Sequence, residues 1–183
     1  LCVYYAMSMM LAALHPAWGS TLHEAPRYSW KGSPVFQALR RHYKTERLFK
    51  EKLADWFFDG MSLSEATKIL NGFFRERNKS KLTYFTLSHV RSRRATTLRK
   101  HSVAHALTVN DVLTAISWHL PVIVAGGGVD SHAVVAIGYS VKGAADRSIC
   151  FLDPGVVRPE WRACGDVFTE DAEVIMPNET EFR

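Results

Sequence analysis

The chain has 183 residues, and 47% of them are hydrophobic, which suits one ordinary globular domain with a sizeable core. Lys and Arg number 23 against 18 Asp and Glu, a net charge of only +5, so charge alone does not point to a nucleic-acid partner. Three cysteines, Cys2, Cys150 and Cys164, form no CxxC pair, and the odd count leaves at least one thiol unpaired, as in a reducing, cytosol-like environment.

Residues 2 to 14 are small or apolar on nearly every side, and the run ends at His15-Pro16, where proline cannot continue a helix. A helix buried all round is expected there, with Cys2 in its first turn. At roughly 14 residues the run is too short to span a bilayer. It lacks an initiator Met and a basic leader, so it is expected to be neither signal nor anchor, and the numbered chain is expected to be a fragment or a processed product.

Residues 17 to 33 read as a loop. Two amphipathic helices over 34 to 44 and 46 to 58, or one with a break, are expected from Val35, Leu39 and Tyr43, then Phe49, Leu53, Trp56 and Phe57. Ser62 and Glu65 have capping-box spacing before Ala66, Ile69, Leu70 and Phe73, which predicts a helix from about Ser64 to Arg77. Leu82 to Leu87 alternates like a strand. Thr108 to His119 reads as a helix started by Thr108 or Asn110 and stopped by Pro121.

The remainder reads as a mostly antiparallel sheet. Strands are expected over Pro121 to Ala125, His132 to Ser140 and Ser148 to Leu152, with Glu173 to Met176 as an added edge strand. Helices first and strands after make an α+β domain over 1–183, with a helical half to about 119 and a sheet half from about 120.

A cysteine at a helix N-terminus is favoured as thiolate by the unpaired N–H groups and the helix dipole. Flanked by Leu1, Val3 and Tyr4, Cys2 also fits a small core residue. His132 opens an otherwise apolar strand, and the next strand delivers Asp153 just before Pro154-Gly155. If the two strands form a hairpin, the midpoint between positions 132 and 153 falls at Lys142-Gly143, inside the turn, and the two residues become cross-strand neighbours or nearly so. A carboxylate beside an imidazole holds one tautomer and frees the other ring nitrogen to take a thiol proton.

These residues carry a family resemblance. Leu120-Pro-Val-Ile-Val124, Ser131-His132-Ala-Val-Val-Ala-Ile-Gly-Tyr139 and Phe151-Leu-Asp153-Pro-Gly155, with the helix of Cys2 to Leu14, resemble the catalytic half of papain-like cysteine peptidases. The branch that includes the bacteriocin-processing, double-glycine peptidases is the most similar, and papain-like toxins, effectors, phytochelatin-synthase-like transpeptidases and amidases share the pattern. The resemblance covers residues 2–14 and 120–155. It implies a papain-like fold, a triad of Cys2, His132 and Asp153, no cofactor, a protein or peptide substrate and origin as a bacterial effector or toxin. Val3 stands where the family usually has Gly, and the family's upstream oxyanion-hole residue falls before the numbered chain. Other outcomes of the same pattern are a transacylase or amidase with this triad, or an inactive binding module.

Arg91, Arg93, Arg94, Arg99 and Lys100 form a basic run suited to an acidic protein partner or to a solvated face, without the aromatic set that single-stranded nucleic acid needs. His89, His101 and His105 could join Cys150 or Cys164 at a metal, but no zinc-finger spacing occurs and scattered surface histidines are the simpler reading. Gly126-Gly127-Gly128 is followed by no Lys-Ser/Thr, so it is not a P-loop. It is expected to keep the approach to His132 open or mobile.

Overall fold

The computed structural model describes residues 2–14, 51–52, 60–91, 106–129, 132–143, 146–153, 158–169 and 172–182. The loop expected at 17–33 and the helices expected at 34–44 and 46–58 lie outside them, apart from Glu51 and Lys52, which are helical.

α1 spans Cys2–Leu14 and buries Val3, Tyr4, Ala6, Met7, Ser8, Met10 and Leu11. The burial is not uniform: Cys2, Tyr5, Met9 and Ala12 are only partly buried, and steps of three and four place them along one line of the helix. The buried Ser8 hydroxyl donates to the Tyr4 carbonyl at 3.1 Å and so adds no unpaired polar group.

α2 spans Leu63–Asn78. Ser62 caps it by accepting the Glu65 N–H at 3.2 Å, and Lys79 closes it in the left-handed conformation, with N–H bonds back to the Arg75 and Glu76 carbonyls. Asn71, buried in its middle, accepts the N–H groups of Tyr84 at 2.7 Å and Phe85 at 2.9 Å and donates to the carbonyls of Thr67 and Phe85 at 3.0 and 2.8 Å. That clamp fixes where β1 begins. The strand runs Phe85–Arg91 and not from Leu82 as the alternation suggested, because the Leu82 carbonyl is taken by Arg75 Nε at 2.7 Å and Tyr84 by Asn71.

β2 (Ala106–Thr108) leads directly into α3 (Val109–Ser117). Thr108 is the N-cap, and with Asp111 it makes a full capping box, Asp111 N–H to Thr108 Oγ1 at 3.3 Å and Thr108 N–H to Asp111 Oδ2 at 2.7 Å. β3 spans Val122–Ala125 and is followed by a 3₁₀ turn at Gly127–Val129. β4 (Ala133–Val141) and β5 (Arg147–Leu152) form the expected hairpin. β6 (Glu160–Ala163), α4 (Cys164–Val167), β7 (Glu173–Pro177) and α5 (Glu179–Phe182) complete the order.

The seven strands make one mixed sheet in the order β2-β1-β7-β3-β4-β5-β6, parallel only between β1 and β2. The chain is α+β, as its sequence indicates, and two strands from before residue 119 belong to the same sheet as those after it. The C-terminal strand is not an edge strand. β7 lies between β1 and β3, with Ile175 opposite both Leu87 and Ile123, because its Val174 and Ile175 are apolar on both faces and are fully buried.

One face of the sheet, through Phe85, Ile123, Ala133, Val135 and Ile175, packs against α1 and α2. The other, through Val122, Val124, Val134, Ala136, Phe151 and Val174, packs against Val112, Leu113, Ala115 and Ile116 of α3 and against Val167 and Phe168. Among the described residues, no helix is long and apolar enough to cross a membrane.

Candidate functional site

The site is built where β4 begins and β5 ends. His132 immediately precedes β4, and its N–H donates to the Val129 carbonyl at 3.0 Å, so the 3₁₀ turn holds its backbone. Asp153 immediately follows β5. His132 Nε2 lies 2.8 Å from Asp153 Oδ1. The His132 side chain is 39% exposed and that of Asp153 16%, so the imidazole is reachable from solvent while the carboxylate is largely sheltered. With Nε2–H directed at the carboxylate, Nδ1 carries the lone pair and is free to accept a proton.

The hairpin expected from the sequence would make these residues cross-strand neighbours or nearly so, and the register decides which. From Val141 opposite Arg147 to Gly138 opposite Cys150 the pairing is regular, but Ala136 then pairs with Phe151, leaving Ile137 as an extra residue in a bulge. Val135 lies opposite Leu152, so one further step would set Asp153 opposite Val134. His132 and Asp153 are therefore diagonal neighbours two positions apart, within side-chain reach on one side of the pair.

The glycine run beside them is packed at Gly128 and not open there. A Cβ on Gly128 would fall 1.5 Å from the Asp166 carbonyl oxygen, so the backbone of the 3₁₀ turn lies directly against α4. Val129 is buried beside it, and Arg162 Nη1 donates to the Gly128 carbonyl at 3.2 Å. The glycine is there for close approach, and its turn anchors His132.

Cys2 occupies the first turn of α1, on the partly buried line of that helix, and packs against the core formed with Ala133 and Val135 of β4. It is a free thiol, as are Cys150 and Cys164. Those two are buried, and burial raises both thiol pKa values by penalising the thiolate, with the nearby Arg147 cation partly offsetting this at Cys164.

The remaining sequence candidates separate from this site. His89 lies on β1, 3.4 Å from Glu173 of β7, a pair that left no local signal because the strands are far apart in the chain. His101, His105, Arg93, Arg94, Arg99 and Lys100 lie outside the described residues, as does the side chain of Arg91. Among the described residues no three His, Cys, Asp or Glu side chains gather in a way that could hold a metal ion. No protein-family model matches the chain, and no curated protein matches it.

Proposed function

We propose that this protein is a papain-like cysteine hydrolase acting on a peptide or isopeptide bond, with Cys2 as nucleophile, His132 as base and Asp153 as the residue that orients the histidine. The observation that carries this reading is the 2.8 Å contact between His132 Nε2 and Asp153 Oδ1 at the end of the hairpin, which leaves Nδ1 available to a thiol.

The packing of α1 is compatible with the place given to Cys2: its first-turn thiol packs against the core that includes Ala133 and Val135 of β4, the strand that follows His132.

In this reading Nδ1 of His132 takes the Cys2 thiol proton. The thiolate attacks the substrate carbonyl, and the Cys2 backbone N–H at the start of α1 is one donor to the resulting oxyanion. His132 returns the proton to the departing amine, leaving an acyl group on Cys2. Water, deprotonated by His132, then releases the acid.

The test is intact-mass analysis after incubation with a peptidyl vinyl sulfone, followed by peptide mapping. A single adduct on Cys2, lost in both Cys2→Ala and His132→Ala, supports the reading. Adducts on Cys150 or Cys164 instead, or none on a folded protein, would sink it.

A further inference from the structure

β4 outruns the strand beside it. β3 pairs with it only from Ala133 to Ala136. Pro121, just before β3, has no N–H with which to extend the ladder, and the N–H groups of His119 and Leu120 already donate to the Ile116 and Ala115 carbonyls of α3 at 2.9 and 3.1 Å. The chain is thereby turned away from β4. Among the described residues, Gly138 to Val141 pairs on its β5 side only, and the bulged Ile137 on neither.

The direction of each peptide in this segment follows from one bond, Lys142 N–H to the Asp146 carbonyl at 3.0 Å. Antiparallel alternation then makes Ser140, opposite Ser148, and Gly138, opposite Cys150, the residues that bond β5. Tyr139 and Val141 turn their N–H and C=O groups the other way, into the gap that β3 leaves. Their side chains are exposed, at 40% and 53%, where scattered apolar residues would need no explanation but an open backbone edge does.

These two side chains form one wall of a groove of about 350 Å³, faced by Leu113, Thr114 and Ser117 of α3 and closed by Arg147. Thr114 and Ser117 donate their hydroxyl protons to the Asn110 and Thr114 carbonyls at 2.8 and 2.6 Å, so their oxygens offer acceptors to a ligand. The Arg147 guanidinium is held in place by the Asn110 side chain. It keeps further N–H donors of its fork for a carboxylate.

We propose that this edge and groove dock an extended segment of a partner protein, added to β4 as an extra strand. Its apolar side chains lie over Tyr139 and Val141, and an acidic side chain faces Arg147. The site is nine residues along β4 from His132, about 30 Å at strand rise. It is therefore an interaction surface separate from the His132–Asp153 pair, and it stands whether or not the hydrolase reading does.

The experiment is fluorescence anisotropy on the full chain carrying Cys2→Ala, so that no cleavage intervenes. The probe is a labelled heptapeptide of alternating Val and Thr with a central Glu. Saturable binding is expected. Val141→Pro removes an N–H that points away from β5, so the hairpin ladder and the circular dichroism spectrum stay unchanged while binding weakens about tenfold or more. The same peptide N-methylated at alternate residues loses binding to a similar extent, and this control decides the matter without any protein variant if Val141→Pro misfolds. Arg147→Gln weakens the Glu peptide but not its Gln counterpart. Absence of saturable binding up to about 1 mM overturns the proposal, as does equal binding of the N-methylated peptide. Concentration-dependent dimerisation that Val141→Pro abolishes, in place of peptide binding, overturns it in favour of a second copy of this chain.

Discussion

At the scale of single residues, the three thiols differ in ways that reactivity can read. Cys150 and Cys164 are buried, and desolvation holds their thiols above the ordinary range, whereas Cys2 is partly exposed at the start of a helix. Iodoacetamide near neutral pH is expected to label Cys2 first, with peptide mapping as the readout. Equal labelling of all three would remove the assignment of the nucleophile. Asp153→Asn keeps an oxygen that can accept the His132 N–H but loses the charge that steadies the imidazolium. Under the hydrolase reading we expect a fall of about ten- to a thousandfold in kcat/KM, equivalent to about 1.4 to 4 kcal/mol. His132→Ala is expected to cost more, and a wild-type rate for Asp153→Asn beside an inactive His132→Ala would reduce Asp153 to a strand-end residue. The His132–Asp153 contact was legible in the sequence because a hairpin of known turn position brings its two ends together. The bulge at Ile137 was not, since nothing in an apolar, β-branched run marks which residue will be left unpaired.

At the scale of elements, side-chain to backbone bonds decide where helices and strands begin. Asn71 alone satisfies two N–H groups and a carbonyl at the entry to β1. Asn71→Ala leaves these buried groups unpaired, and a loss of about 2–4 kcal/mol in stability by urea denaturation is expected; a change below experimental error would show that the clamp is dispensable. Gly128→Ala forces a methyl group into the Asp166 carbonyl, where the neighbour is backbone and cannot swing aside. A cost of about 1–3 kcal/mol or more is expected, together with a shift of the His132 ring resonances, because Val129 of the same turn holds the His132 N–H. An unshifted His132 spectrum would separate the turn from the site. The cap at Ser62 was legible from spacing, and so was a start at Thr108, although the reciprocal partner there, Asp111, emerged only with the structure. The clamp at Asn71 was not legible, because an Asn in mid-helix reads as polar surface until the strand it binds is in place.

At the scale of the whole molecule, the sheet order makes the C-terminal strand central. Ile175 is fully buried between β1 and β3, so Ile175→Ala is expected to cost about 2–5 kcal/mol. Trp161 lies on the edge strand β6 and is 57% exposed, so Trp161→Ala is expected to change stability by only about 0.5 kcal/mol. Comparable effects at the two positions in parallel urea melts would contradict the placement of β7 between β1 and β3. The sequence by itself determined the α+β class, the buried helix behind Cys2, the hairpin and the meeting of His132 with Asp153, because helix period, strand alternation, caps and a short turn act over a few residues to two dozen. Only the tertiary structure decided that β7 inserts between β1 and β3, that β1 and β2 join the same sheet, that the glycine turn is packed against Asp166, and that Tyr139 and Val141 present an edge that no strand among the described residues pairs with. Each of these depends on which distant segments share a hydrogen-bonded ladder or a van der Waals contact, and local spacing carries no record of such pairings.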